Sequence, residues 1–331
     1  MFLTPFLARK GARGMVENAP KTTRRIKMDE FIGYRNGEWV PVSEILPVPG
    51  DRGPSMGDQV TEMVRTFDGK SFRMRDHIDR LYKSLKYTRI DPGLTADELY
   101  EVSEEGIRRN EHLRPAGGDI SLSHVVSRGA GGPRAWGAGP PNVFIRYSPM
   151  SYGMFGDKYE TGINAAIPRT RSFDPASLDP KIKHLSRMNM SIAELEANDI
   201  DAGAWPILLD SNGHLTEGSG YNVFIATDGV LRTPTDHAAL VGISRMMALD
   251  LAEQLQIPAT EENLEPYDLF TADECFFSST PFSLLPVTRV DGREIGDGKP
   301  GPMTQQLLAA WSESVGIDIV GQAAAAAQAT S

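Results

Sequence analysis

Residues 210–231, DSNGHLTEGSGYNVFIATDGVL, carry the reading that decides the fold. The two ends behave as a hairpin. Asn212-Gly213 is a turn dipeptide, and Val223-Phe224-Ile225 is an apolar run closed by Asp228-Gly229. Between them lies Thr216-Glu217-Gly218-Ser219-Gly220-Tyr221-Asn222, which puts a carboxylate, two glycines and an asparagine where the chain enters its core.

The same patterns extend in both directions. FIGYRNGEWVPV reads as a hairpin on Asn36-Gly37, and GDQVTEMVRTFDGKSFRM as two strands around Asp68-Gly69. DHIDRLYKSLKYTRI has Ile78, Leu81 and Leu85 at helical spacing. TADELYEVSEEGIRRNEH opens on a Thr-x-x-Glu capping box and reads as a second helix. DISLSHVVSRG and NVFIRYSPM are strands. Beyond them INAAIPRTR, AWPILLD, YNVFIAT and ECFFSSTPFSLLPVTRV read as strands, and SRMNMSIAELEAND and SRMMALDLAEQLQ as helices. The chain is therefore expected to be α+β, with a small unit over 32–147, a linker rich in Gly, Pro and Ser over 148–159 and a larger unit over 160–316. Residues 1–31 are expected to be a flexible extension, with Met15 or Met28 as an alternative start. Residues 317–331, ending GQAAAAAQATS, are expected to be a disordered tail.

Bulk composition narrows the function. The 331 residues exceed one ordinary core, and the net charge of −10 argues against a nucleic-acid binder or a membrane-surface protein. No apolar stretch is long enough to span a bilayer. Cys275 is the single cysteine. It reads as core packing and suits a reducing, cytoplasmic compartment. No metal site is expected.

Four features of the second half ask for one explanation. Lys183, in DPKIKHLSRMNM, stands where a strand-like segment turns into a helix. It is either surface decoration or a desolvated amine with a lowered pKa. Gly242-Ile243-Ser244 precede a periodic helix, with Ser244 as an N-cap. Free N–H groups at such a terminus bind phosphate, though a plain capped helix reads the same way. FFSSTPF ends a strand in Ser278-Ser279-Thr280, and TEGSGYN supplies the acid. A lysine, a phosphate cradle and an acid near the start of a core strand are the three needs of pyridoxal phosphate. The lysine holds its aldehyde, the cradle its phosphate and the acid its ring nitrogen, while the glycines let the backbone pass close to a flat ring.

LTEGSGYNVF, DGVLRTP, GISR, ADECFFSST and LPVTRVDGREIGDGKPGPMT resemble, in order and spacing, motifs of the class IV, or fold-type IV, pyridoxal-phosphate enzymes. The resemblance runs from about residue 32 to about 315. It covers branched-chain aminotransferases, D-amino-acid transaminases, (R)-selective amine transaminases and aminodeoxychorismate lyases. It implies a two-domain fold-type IV architecture, a homodimer, and an active site between the domains near the partner subunit. By position it implies that Lys183 carries the cofactor, Glu217 faces the pyridine nitrogen and Arg80 clamps the phosphate. Ile243, Ser244 and Thr280 also bind the phosphate, and Asn222 lies beside the ring.

Departures from the family pattern bear on the substrate. Where branched-chain enzymes usually carry Tyr-x-Arg, this chain has Ser121 and Ser123. At the turn whose backbone N–H groups bind the substrate carboxylate in those enzymes, it has Thr280-Pro281, and proline has no N–H. SRGAGGPRAWG resembles the D-amino-acid transaminase loop that supplies a carboxylate-binding arginine, so Arg134 is a candidate for that role, with Trp136 in place of a histidine. Thr61 stands where that branch has a tyrosine. Pro281 and Phe282 complete the candidate substrate contacts. The expectation is a ping-pong transaminase that takes a D-amino acid or (R)-amine and a 2-oxo acid. The alternatives are a branched-chain L-amino-acid aminotransferase and a lyase of the aminodeoxychorismate type.

Overall fold

A computed structural model describes residues 30–330. Two sheets organise them. The first has six strands in the order β2-β1-β6-β5-β3-β4: β1 (Ile32–Arg35), β2 (Glu38–Pro41), β3 (Gln59–Phe67), β4 (Lys70–Ser71), β5 (Ile120–Ser127) and β6 (Asn142–Pro149). The second runs β11-β10-β9-β12-β13-β7-β8, with β14 on the side of β13: β7 (Ile163–Ala166), β8 (Trp205–Pro206), β9 (Asn222–Thr227), β10 (Val230–Pro234), β11 (Ala259–Glu262), β12 (Glu274–Ser279), β13 (Ser283–Val290) and β14 (Arg293–Glu294). The first sheet is antiparallel. The second is mixed, with parallel pairs at β10–β11, β13–β7 and β7–β8.

The helices are α1 (Arg52–Met56), α2 (Met74–Thr88), α3 (Ala96–Asn110), α4 (Lys158–Thr161), α5 (Met188–Ile200), α6 (Ile243–Gln254), α7 (Pro266–Phe270), α8 (Pro302–Val315) and α9 (Ile319–Thr330). In α2, Ile78, Leu81 and Leu85 fall on one face and pack on Val60 and Val64 of β3 and Leu99 of α3. The capping box of α3 forms as the sequence predicts: Glu98 N–H donates to Thr95 Oγ1, and Thr95 N–H donates to the Glu98 carboxylate. None of the described helices is long and apolar enough to cross a membrane.

The chain ends depart from expectation. The expected disordered tail, residues 317–331, is instead helical over most of its length: α9 occupies Ile319–Thr330, and Ile319 and Ala323 join the core of the second unit. Its alanines are small enough to lie against Gly153 and Gly156, so low complexity here means close packing rather than disorder. The expected linker is no loose spacer, since Tyr152, Phe155 and Tyr159 enter that same core. Most of the expected N-terminal extension, residues 1–29 with both alternative starts, lies outside the described residues. Phe31 is already part of the fold, packing against the first core and accepting a hydrogen bond from Val42 N–H.

One crossing positions everything that follows. β3 pairs with β4 only at its far end, which leaves one side of its first residues open. Residues 183–185, from the second half of the chain, fill that gap. Thr61 N–H donates to the Lys183 carbonyl at 2.8 Å, and Leu185 N–H donates to the Gln59 carbonyl at 3.3 Å. Ile182 drops into the first core beside them.

Candidate active site

A cavity of about 670 Å³ opens where the two units meet. Arg80, Lys183, Glu217, Asn222, Ile243, Ser244, Thr280, Pro281 and Phe282 all line it. The segment holding Lys183 is neither strand nor helix. It is an irregular stretch fixed by its bonds to β3 and by Ser84 Oγ, which accepts from Lys183 N–H at 3.2 Å, and α5 begins only at Met188. Burial lowers the Lys183 amine to about 8. Arg80 and Arg187 push the same way, against the carboxylates of Glu62 and Glu217.

Glu217 lies opposite, at the mouth of β9. Its Oε2 accepts from Leu240 N–H at 3.0 Å. Burial raises its carboxyl to about 7 despite that hydrogen bond and the nearby cations. Of the glycines around it, Gly218 serves the chain, while Gly220 lines the cavity. A side chain at Gly218 would run into the ring of Tyr221, and Gly220 has φ +145, which L-residues rarely adopt. Asn222 does not reach inward as a donor. Its Nδ2 donates to the Leu240 carbonyl at 2.8 Å and so fixes the loop that also bonds Glu217.

At α6 the sequence misplaces the cap. Gly242 is the N-cap, with φ −69 and ψ 138 and no side-chain cap bond, while Ile243 and Ser244 lie inside the first turn. Their N–H groups have no acceptor among the described residues, and both residues are buried in the cavity wall. Such a terminus suits an anion. Arg80 closes the cradle from the other unit. Its Nη1 donates to the Val241 carbonyl at 2.7 Å, and Glu62 grips it through Nε at 2.7 Å and Nη2 at 2.9 Å. His77 Nδ1 lies 2.6 Å from the same carboxylate. Burial would raise the Glu62 carboxyl, but Arg80 and His77 hold it well below the usual carboxylate range. Burial lowers His77 below the usual imidazole value, against the pull of Glu62.

Several cavity groups were not legible in the sequence. Glu62 and His77 act behind the wall. Arg187 lines it with no hydrogen bond or ion pair to its guanidinium among the described residues. Met63, Trp205 and Tyr221 give it an apolar side, on which Tyr221 stacks on Phe277 at 4.2 Å between ring centres. The only available signal was spacing, and it paired residues too far apart to read. Three expected substrate residues do not line this cavity. Thr61 spends its hydroxyl on the His124 carbonyl at 2.7 Å. Arg134 and Trp136 sit on an exposed loop after β5, with the guanidinium carbon 5.8 Å from the indole centre.

Pyridoxal phosphate fits what the residues leave unsatisfied. Ser278 Oγ and both amide atoms of Asn189 are buried at the cavity without partners. The bare α6 terminus, the lysine lowered to about 8 and the acid raised to about 7 would suit a phosphate, an aldehyde and a ring nitrogen.

The profile of the amino-transferase class IV family matches residues 59–290. A putative branched-chain-amino-acid aminotransferase of Methanocaldococcus jannaschii is 36% identical over 281 residues, spanning 83% of this chain and 93% of that protein. A D-alanine aminotransferase of Staphylococcus haemolyticus is 33% identical over 278 residues, spanning 83% and 94%. Among solved structures, the branched-chain amino acid aminotransferase of Escherichia coli superposes with a TM-score of 0.80 at 29% identity, covering 86% of this chain and 94% of that one.

Proposed function

The chain belongs to the class IV aminotransferases, enzymes that use pyridoxal phosphate, and we propose that its donor is a branched-chain L-amino acid and its acceptor a 2-oxo acid. The observation that carries the choice is the apolar side of the cavity, where Met63, Trp205, Tyr221 and Phe282 can enclose a branched hydrocarbon side chain. The relatives lean the same way: besides the archaeal protein, the branched-chain-amino-acid aminotransferase of Escherichia coli (strain K12) is 32% identical over 298 residues.

When bound, the cofactor supplies an electron sink for the charge left at the donor's α-carbon. The chain supplies the rest. The α6 amides, Thr280 Oγ1 and Arg80 would hold the phosphate. Glu217, whose carboxyl burial raises to about 7, would face the ring nitrogen, and a positive partner there would draw it back toward the ionised form. Lys183 Nζ, lowered to about 8, keeps a useful unprotonated fraction near neutral pH and takes the proton from the donor's α-carbon. The aromatic side excludes water from that transfer.

A second reading, a D-amino acid or (R)-amine donor, draws on the Arg134 loop and on the D-alanine aminotransferase relative. The test follows the visible absorption of the holoenzyme while one donor at a time is added without any 2-oxo acid. Loss of the band with L-leucine but not with D-alanine or (R)-1-phenylethylamine is the expected result. The reverse pattern would hand the assignment to the second reading.

A further inference from the structure

β3 carries two buried charges on opposite faces. Arg65 turns toward the second unit. Its Nη2 donates to Asp119 Oδ2 at 3.1 Å and to Gln322 Oε1 on α9 at 3.2 Å, and its Nη1 donates to the Pro281 carbonyl at 3.2 Å. Glu62, three residues earlier, points to the other face. It shares that face with Val60 and Val64, under α2, and is 0% exposed. A carboxylate buried among aliphatic side chains is costly unless cations offset it. Arg80 takes both of its oxygens, and His77 Nδ1 lies beside one of them. Glu62 and the Val241 carbonyl, next to the Gly242 cap of α6, occupy three of the five N–H groups of the Arg80 guanidinium. The other two have no acceptor among the described residues. A fork of this kind fixes the plane of the guanidinium and so the direction of those two donors.

The same carboxylate reaches a second cation. Lys183 is stapled to β3 at the residue before Glu62, where Thr61 N–H meets the Lys183 carbonyl. It is stapled to α2 through Ser84, whose Oγ accepts from Lys183 N–H and donates to the Arg80 carbonyl, both at 3.2 Å. The lysine is thereby fixed on the two elements that carry Glu62, His77 and Arg80. Four charged groups act on its amine: Glu62, Arg80, Arg187 and Glu217, with Glu62 the strongest of them. Burial lowers the imidazole of His77, and that of His124, opposite Glu62 on β5, to about 4. We propose that Glu62 is a positioning residue shared by both ends of the cofactor site: it aims the two remaining N–H groups of Arg80 at the phosphate, and it is the counter-charge of the Lys183 amine. The proposal rests on the pyridoxal-phosphate reading above. Its two roles separate once the charge is removed. Arg80 loses its aim, so phosphate binding weakens. Lys183 loses its counter-charge, so more of the amine is unprotonated near neutral pH and attacks an aldehyde faster. A residue that only held the fold together would weaken both.

Two aldehydes tell the roles apart, each added to the cofactor-free full chain. Pyridoxal phosphate, titrated by its visible spectrum, reads the phosphate site. Pyridoxal has no phosphate and reads the amine alone. An amine that has condensed with the aldehyde, losing water, is fixed by borohydride and counted at Lys183 by peptide mass. The wild-type rate with pyridoxal should rise with pH through a midpoint near 8. Glu62→Gln should move that midpoint down and speed labelling at pH 7 by about three- to tenfold. It should also raise the pyridoxal phosphate dissociation constant about tenfold or more, as for the loss of a charge-assisted bond. Glu62→Asp keeps the charge but shortens the reach, so it should weaken pyridoxal phosphate and leave the midpoint near 8. An unmoved midpoint or slower labelling in Glu62→Gln would overturn the proposal. So would a shifted midpoint in Glu62→Asp, or wild-type affinity for pyridoxal phosphate in either variant. Glu62→Asp decides the matter by itself if the glutamine variant does not fold. If pyridoxal phosphate condenses with no lysine of the wild-type protein, or with one other than Lys183, the cofactor reading beneath the proposal falls instead.

Discussion

Glu217 and Lys183 face one cavity with pKa values displaced in opposite senses, and each displacement writes itself into stability. The Glu217 carboxyl moves from 4.5 to about 7, so between those values the folded chain holds a proton that the unfolded chain has released. Its contribution is complete below 4.5 and lost as pH rises through 7. The Lys183 amine moves from 10.5 to about 8, so its contribution is complete above 10.5 and lost as pH falls through 8. In cofactor-free protein, Glu217→Gln should flatten the decline of Tm between pH 4.5 and 7. Lys183→Met should flatten its rise between pH 8 and 10.5. A calorimetric pH series checks both, and parallel curves for variant and wild type would disprove the assignment. These two residues were legible because each sits inside a local motif. Arg65, Glu62 and His77 were not. The Arg65 partners Pro281 and Gln322 lie 216 and 257 positions away, and no periodicity joins them.

Elements fared better than their edges. The strands around Asn36-Gly37, Asp68-Gly69 and Asp228-Gly229 form as read, because a residue with positive φ followed by glycine fixes a tight turn locally: Asn36 has φ 49, Asp68 φ 50 and Asp228 φ 50. The α6 cap was misread by two residues, because Ser244 looks like a cap but the extended backbone of Gly242 ends the loop first. The last helix was missed altogether. Its alanines carry no amphipathic pattern, and what holds them is the absence of side chains at Gly153 and Gly156 on the facing segment. A Cβ at Gly156 would lie 2.7 Å from the Ala327 Cβ and 2.9 Å from the Ala323 carbonyl oxygen. Gly156→Ala should therefore cost roughly 1–3 kcal/mol by overpacking, seen as a lower urea midpoint.

Across the whole molecule the candidate cofactor site is a joint. Arg80 comes from the first unit, while Glu217, α6 and Thr280 come from the second. Pyridoxal phosphate at a hundredfold excess over its dissociation constant should add about 2.7 kcal/mol to unfolding. Arg80→Ala should remove most of that gain in a thermal shift series, and it should also lower the cofactor-free midpoint, since it leaves the buried Glu62 carboxylate with His77 alone. A cofactor shift of full size in Arg80→Ala would show that the first unit takes no part in the cradle. The strip of chain bearing Lys183 is stitched along β3 by hydrogen bonds at both of its ends. A swivel of one sheet against the other would tear those stitches and carry the amine off before it admitted anything. Those bonds stiffen the joint where the lysine sits, so substrate entry is expected through side chains and loops at the existing mouth, on their nanosecond-to-microsecond clock rather than the slower one of domains.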